Sequence, residues 1–142
     1  MKLSPHFTLA ELTASDTAKA HGIANTPTPE HLNNLRVTAH RMEAVRRILG
    51  RPIVPNSGYR SPKVNKLVGG TSTSDHAHGW AVDFNGTLAE AKKLAERLDS
   101  FDQIILERNG TLIHISFNPR CRMECLTQRG AAGSKFEKGL VA

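Results

Sequence analysis

Ser74-Asp-His-Ala-His-Gly-Trp-Ala-Val-Asp83 sets two histidines and an aspartate around a glycine, and Leu112-Ile-His-Ile-Ser116 sets a further histidine inside an apolar run. Zinc takes a small tetrahedral shell of nitrogen and oxygen donors at about 2.0–2.2 Å, and hydrolytic sites keep the fourth position for water. Three protein donors are therefore the number to seek, and His76, Asp83 and His114 supply them. Gly79 allows a sharp bend that returns His76 toward Asp83. Ala81 and Val82 then lead to Asp83 along an expected buried strand, Trp80 to Phe84.

Each donor has a plainer reading to beat. With seven histidines in 142 residues, His6, His21, His31 and His40 read as solvated or core side chains. His114 differs because an unpartnered imidazole inside Leu112–Phe117 is costly to bury. Asp83 is the sharper case, since a carboxylate between Val82 and Phe84 demands a cation or strong donors. His78 lies two residues from His76, and residues at that spacing share a face on an extended segment; from the residues alone both stay open as ligands.

At 142 residues the chain has the size of one domain with enough apolar content for a core. Nineteen basic against thirteen acidic residues give a formal charge of +6 and a pI near 9.8. That suits an anionic partner such as nucleic acid, a membrane surface or a wall polymer. Aromatics are only 5% of the chain, too few for the stacking platform of a single-strand binder, so nucleic acid is not the expected partner. No segment reaches the roughly 20 apolar residues of a membrane span, and Met-Lys-Leu-Ser-Pro-His-Phe-Thr has no signal-peptide core. The expectation is synthesis in the cytoplasm without a signal peptide, and action outside it only after release. Cys121 and Cys125 are too few for a disulfide framework and read as free thiols.

Along the chain, Thr8-Leu-Ala-Glu11 and Thr87-Leu-Ala-Glu90 are capping boxes that predict helix starts. Asp16 to His21 predicts a short helix closed by Gly22. Thr28 and Pro29 open a long helix striped by Leu32, Leu35, Ala39, Met42, Val45 and Leu49 and closed by Gly50. Pro52-Ile-Val-Pro55 reads as a short strand, and a helix then reaches Leu67 before Gly69-Gly70 and the polar loop Thr71 to Asp75. Strands Phe101–Glu107 and Thr111–Phe117 flank Asn109-Gly110, a strong hairpin signal. From about Asn118 onward the chain is basic and weakly patterned, and is expected to be a tail.

A zinc hydrolase needs a base beside its water. If Asn109-Gly110 form a two-residue turn, Glu107 faces Leu112 and lies diagonally from His114 on one face; a three-residue loop, Arg108 to Gly110, turns it to the other face. In Ser57-Gly-Tyr-Arg-Ser61 the turn can aim Arg60 into a cleft, to grip a carboxylate or oxyanion, or leave it solvated. Ser74 can bond substrate or merely shape its loop.

Ser57-Gly-Tyr-Arg-Ser-Pro62, Asn65, Val68-Gly-Gly70, the spaced set Ser74, His76, Gly79, Ala81 and Asp83, and Ile113-His-Ile-Ser116 together resemble the zinc D-Ala-D-Ala peptidases of bacterial cell walls. The likeness runs from Phe7 through about residue 117 and is strongest to the compact group found in phages and prophages. It implies an α+β fold of the Hedgehog/D-Ala-D-Ala peptidase type, a small antiparallel sheet with surrounding helices, as one zinc peptidase domain over residues 1–142. It implies Zn2+ on His76, Asp83 and His114, preferring His76 to His78, with Arg60 and Ser74 on the substrate side. Many relatives carry an acidic base where this chain has Thr111, and others a tryptophan or histidine where it has Leu112; the resemblance therefore assigns no base here, and Glu107 rests on the hairpin register. The expected function is a monomeric peptidase acting on the peptidoglycan stem, of the phage endolysin endopeptidase type. The alternatives are a D-Ala-D-Ala carboxypeptidase, or a non-catalytic zinc-stabilised wall-binding or virion module.

Overall fold

Both capping boxes form, and they set where the first and last helices begin. In the computed structural model, which describes residues 1–130 and 134–142, a strand β1 (Lys2–Ser4) pairs with β2 (Phe7–Thr8), a hairpin the sequence pattern was too short to announce. The Thr8 hydroxyl accepts from the Glu11 backbone N–H at 3.1 Å, and the Glu11 carboxylate accepts from the Thr8 N–H at 3.1 Å, which starts α1 (Leu9–Thr13). Ser15 caps α2 (Asp16–Ala20). Thr28 caps α3 (Pro29–Leu49), which ends at Gly50 in the left-handed region. Its striped residues Leu35, Ala39, Met42 and Val45 have no exposed surface. Glu43, on the same helix, accepts from the Ser4 hydroxyl and the His6 backbone and anchors the N-terminal hairpin.

The expected strand at Pro52–Pro55 lies slightly later, as β3 (Pro55–Ser57). α4 (Pro62–Leu67), capped by Ser61, follows. A single 3-10 turn, Asp75–His78, then leads through Gly79 into β4 (Ala81–Asn85), and α5 (Leu88–Arg97) crosses to β5 (Gln103–Glu107) and β6 (Leu112–Ser116). β6 lies antiparallel between β4 and β5. Alternation does the sorting: Val82, Phe84, Ile104, Leu106, Ile113 and Ile115 point to the core shared with α3 and α5, each at most 1% exposed. Asp83, His114, Ile105 and Glu107 occupy the other face of the same strands.

The segment expected to be a weakly patterned tail instead extends the sheet. β7 (Glu124–Gln128) pairs with β5 in parallel, and β8 (Phe136–Lys138) pairs antiparallel with β7, giving the order β3-β4-β6-β5-β7-β8. The sheet is therefore mixed rather than small and antiparallel. Two observations account for this. Asp102, fully buried just before β5, accepts from the Arg122 backbone N–H, Nε and Nη2 at 2.9–3.1 Å, and the Met123 and Glu124 N–H groups bond to the carbonyls of Phe101 and Asp102. The returning chain is thus pinned beside the start of β5 and must run alongside it in the same direction. The strand is weakly patterned because its core face carries only Cys125 and Thr127, small residues with little apolar area. Residues 131–133 of the expected tail lie outside the described residues.

Gly58, between β3 and Tyr59, has no room for a side chain: a Cβ there would stand 2.5 Å from the backbone oxygen of Leu12, which also accepts from the Tyr59 N–H. Because backbone cannot yield as a side chain can, Gly58→Ala is expected to cost about 2 kcal/mol. Urea unfolding should show it as a lowered midpoint at unchanged slope; an unshifted midpoint would mean that the contact is soft.

Candidate metal centre

Three donors converge where the 3-10 turn meets β4 and β6. In the ladder, Asp83 stands directly opposite His114. Asp83 Oδ1 lies 2.8 Å from His114 Nδ1 and 3.1 Å from His76 Nε2, and one donor atom from each residue falls within 4.8 Å of the others. His76 reaches this point because Gly79 turns the chain at φ +83°, and a Cβ at Gly79 would lie 2.8 Å from the His31 carbonyl oxygen. Both conformation and space thus restrict that position to glycine.

The chemistry of this set fits a metal ion. His76 Nδ1 lies 2.7 Å from the Gly58 carbonyl oxygen, an arrangement that makes Nδ1 the protonated nitrogen and leaves the Nε2 lone pair aimed at Asp83. A lone pair and a carboxylate oxygen at that separation repel unless a proton or a metal lies between them. A ring N–H donated to a backbone carbonyl is also the usual outer support of a metal-bound histidine. The side chains of His76, Asp83 and His114 are 4%, 17% and 13% exposed, so the set is sheltered yet reachable. Burial works to raise the Asp83 carboxyl, but the two imidazoles outweigh it and hold it well below the usual carboxylate range. For His114 burial works downward, yet the hydrogen bond and charge of Asp83 raise it above an ordinary histidine.

The donors form part of the wall of an open cavity of about 610 Å³ on the face of the sheet away from the core. Arg60, Ser74 and Glu107 line the same cavity. Arg60 is largely buried, and its Nε has no hydrogen-bond partner among the described residues. Ser74 precedes the 3-10 turn without capping it through its side chain. Glu107 pairs with Leu112, while Ile105 pairs with His114, so Glu107 is the diagonal neighbour of His114 on the same face, within reach of a long side chain. That is the register expected of the hairpin, but the turn differs. The loop spans Arg108–Thr111, with Arg108, Asn109 and Gly110 all at positive φ and the Glu107 carbonyl accepting from both Gly110 and Thr111. Burial first, then the neighbouring Asp83 charge, raises the Glu107 carboxyl above the ordinary glutamate range. Thr111 is spent on the loop, where its hydroxyl donates to the Arg108 carbonyl.

Residues 5–116 match the sequence model of the peptidase M15 family. The chain belongs to the peptidase M15 family. Within this M15 chain, 79 residues are 37% identical to the zinc D-Ala-D-Ala carboxypeptidase of Streptomyces albus G, covering 55% of the chain and 30% of that relative. The chain thus spans less than a third of the length of the curated relative it matches. No helix among the described residues is long and apolar enough to cross a membrane.

His78, open as a ligand from the residues alone, turns away from the cavity: its Nε2 lies 3.1 Å from the Ser72 carbonyl oxygen and its ring stands edge-on to His31. Cys121 and Cys125 are free thiols. The sequence reading missed three participants in this M15 site: the Gly58 carbonyl that orients His76, and Arg120 and Arg122, which line the cavity from the supposed tail. A carbonyl has no sequence signature. The two arginines gave a weak one, basic residues close behind the last histidine.

The raised His114 value has a sign that can be tested. Its protonated pairing with Asp83 contributes stability that is complete below the unfolded value of about 6.5 and fades as pH rises through the folded value, whereas a metal requires the ring neutral. Adding zinc to chelator-treated protein should therefore raise the thermal midpoint by more at about pH 8 than at about pH 6. An increment that shrinks over that interval would contradict the arrangement.

Proposed function

We propose that this M15 protein is a zinc-dependent peptidase that hydrolyses a peptide bond in the stem of peptidoglycan, with Zn2+ held by His76, Asp83 and His114. The observation that carries this reading is the convergence of those donors within 4.8 Å beside Glu107 and Arg60 on one cavity wall. When bound, zinc supplies polarisation of the scissile carbonyl and a water whose pKa falls toward about 7. The chain's own residues do the remainder. The Glu107 carboxylate takes the proton of the attacking water and returns it to the leaving amine, a role its raised carboxyl suits because proton transfer works best with a pKa near the working pH. Arg60, lining the same cavity with its Nε unpartnered among the described residues, holds a substrate carboxylate or the oxyanion that develops on the carbonyl. Ser74 hydrogen-bonds the substrate from the lip above His76.

Between endopeptidase and carboxypeptidase, the extent of the cavity favours the former. Its lining runs from Asp83 on β4 to Phe136 on β8, four strand spacings or roughly 19 Å, enough for about five or six extended residues. The lining also takes in Val68, Gly69, Gly70, Thr71 and Thr73, on the loop that leads into the donor-bearing turn, so substrate has room on that side of the donors as well as toward β8, as in an endolysin-type enzyme of a phage or prophage. The named activity of the Streptomyces albus G relative supports the second reading, a D-Ala-D-Ala carboxypeptidase. The formal charge of +6 favours approach to an anionic wall, where the protein acts as a monomer and as one zinc peptidase domain over residues 1–142.

Purified peptidoglycan should release new amino groups in a zinc-dependent manner, and His114→Ala should abolish this. Glu107→Gln should lower kcat by about 10²–10⁴-fold while zinc stays bound; Arg60→Gln should raise KM where Arg60 grips a substrate carboxylate and lower kcat where it holds the oxyanion. Stem fragments among the products, identified by mass spectrometry, support the endopeptidase; free D-alanine alone selects the carboxypeptidase. Wall binding without cleavage would sink both.

A further inference from the structure

Asp75, between the proposed substrate residue and the first proposed ligand, takes no part in the chemistry above, yet its side chain is only 8% exposed. Its two oxygens accept from the Ser116 hydroxyl at 2.7 Å, the Asn118 amide at 3.0 Å and Arg120 Nη2 at 2.9 and 3.0 Å. The same Nη2 reaches Asp102 Oδ2 at 3.0 Å, so Arg120 is shared by two buried carboxylates. Arg120 adds a cation to these neutral donors, and removing one partner of a buried ion pair is costly.

The position of this lock matters more than its strength. Asp83 and His114 are fixed to one another by the ladder of β4 and β6. His76 is not: it arrives on a four-residue turn outside the sheet, with its ring oriented by one carbonyl. Asp75 sits on that turn, and Ser116 lies two residues beyond His114 on the same face of β6. Asp75 therefore ties the two histidine-bearing elements directly to one another, while the Arg60 N–H holds the His76 carbonyl from β3's side at 3.0 Å. The backbone agrees, since the Trp80 N–H donates to the Asp75 carbonyl and the Phe117 N–H to the Trp80 carbonyl, both at 2.9 Å. We propose that Asp75 is the positioning residue of the zinc site, and that Arg120, from beyond the family-matched residues 5–116, is the cation that holds it in place. The inference rests on the reading of His76, Asp83 and His114 as zinc ligands.

Zinc affinity, measured by competition with a chromophoric chelator well below the unfolding temperature, tests it. Asp75→Asn and Arg120→Gln should each weaken zinc binding about 10–100-fold, with the circular dichroism spectrum unchanged. Arg120→Lys should recover part of the loss. The double variant should lose less than the two single losses combined, because it strands no charge at Asp75. Arg129→Gln, which breaks an exposed pair with Glu137 and a bond to the Ala142 carbonyl away from the cavity, should bind zinc as the wild type does. A role in stability alone would lower the unfolding midpoint and leave the affinity of the folded protein untouched. Should Arg120→Gln fail to fold, Ser116→Ala decides, since it removes a neutral donor to Asp75 and should still weaken binding severalfold. Folded Asp75→Asn and Ser116→Ala proteins that bind zinc within about twofold of wild type would overturn the inference alone; a wild-type protein that binds no zinc would overturn the ligand reading and this one with it.

Discussion

A carboxylate set between two imidazoles, on a strand whose next residues belong to the core, is the constraint that organises this molecule. Asp83 cannot sit on β4 unpartnered, and the protein brings an imidazole to it from two directions. His114 comes through strand pairing, which is long-range but geometrically rigid. His76 comes through a local bend, which is short-range and needs external bracing. The glycine at 79, the carbonyl of Gly58 and the buried Asp75 supply that bracing, so much of the irregular structure between α4 and β4 exists to place one imidazole.

The two faces of the sheet divide the labour sharply. One face carries uninterrupted aliphatic packing against α3 and α5, and the stability of the domain resides there. The other carries charge, and its carboxylates and guanidinia are arranged so that most are paired, while Arg60 Nε and the Glu107 carboxylate have no partner among the described residues. Unpaired, partly buried groups destabilise the fold they sit in, and their grouping on one cavity wall is the signature of a site kept for chemistry. The strand alternation that separates these faces is a property of the backbone, so function here depends on register as strictly as on residue identity.

Much of this was legible in the amino-acid sequence because it is local or periodic. The capping boxes at Thr8 and Thr87, the stripe of α3 and the alternation of β4 to β6 each express one physical rule within a short window, and each is found in the structure. Asp83 and His114 drew notice because their apolar neighbours made them expensive to explain otherwise, and the structure brings them together with His76. The register of Glu107 could be read, but the turn that delivers it could not, since Arg108 and Asn109 adopt positive φ against their usual preference. What escaped reading was non-local: β7 has almost no apolar alternation, and its place beside β5 follows from Asp102, a residue whose partners lie 20 positions away.

The parallel pairing of β7 with β5 also dictates an order of assembly. An antiparallel neighbour can zip up from its own turn, whereas a parallel one must wait until the intervening strand is complete and the chain has travelled back. During synthesis, the stretch bearing His76, Asp83 and His114 therefore emerges before the arginines that pair with Asp75 and Asp102. The nascent sheet passes through an interval in which β5 presents a bare edge and two acidic side chains lack their cations. Arrival of the final strands closes that edge and discharges the acidity together, which couples completion of the chain to maturation of the site.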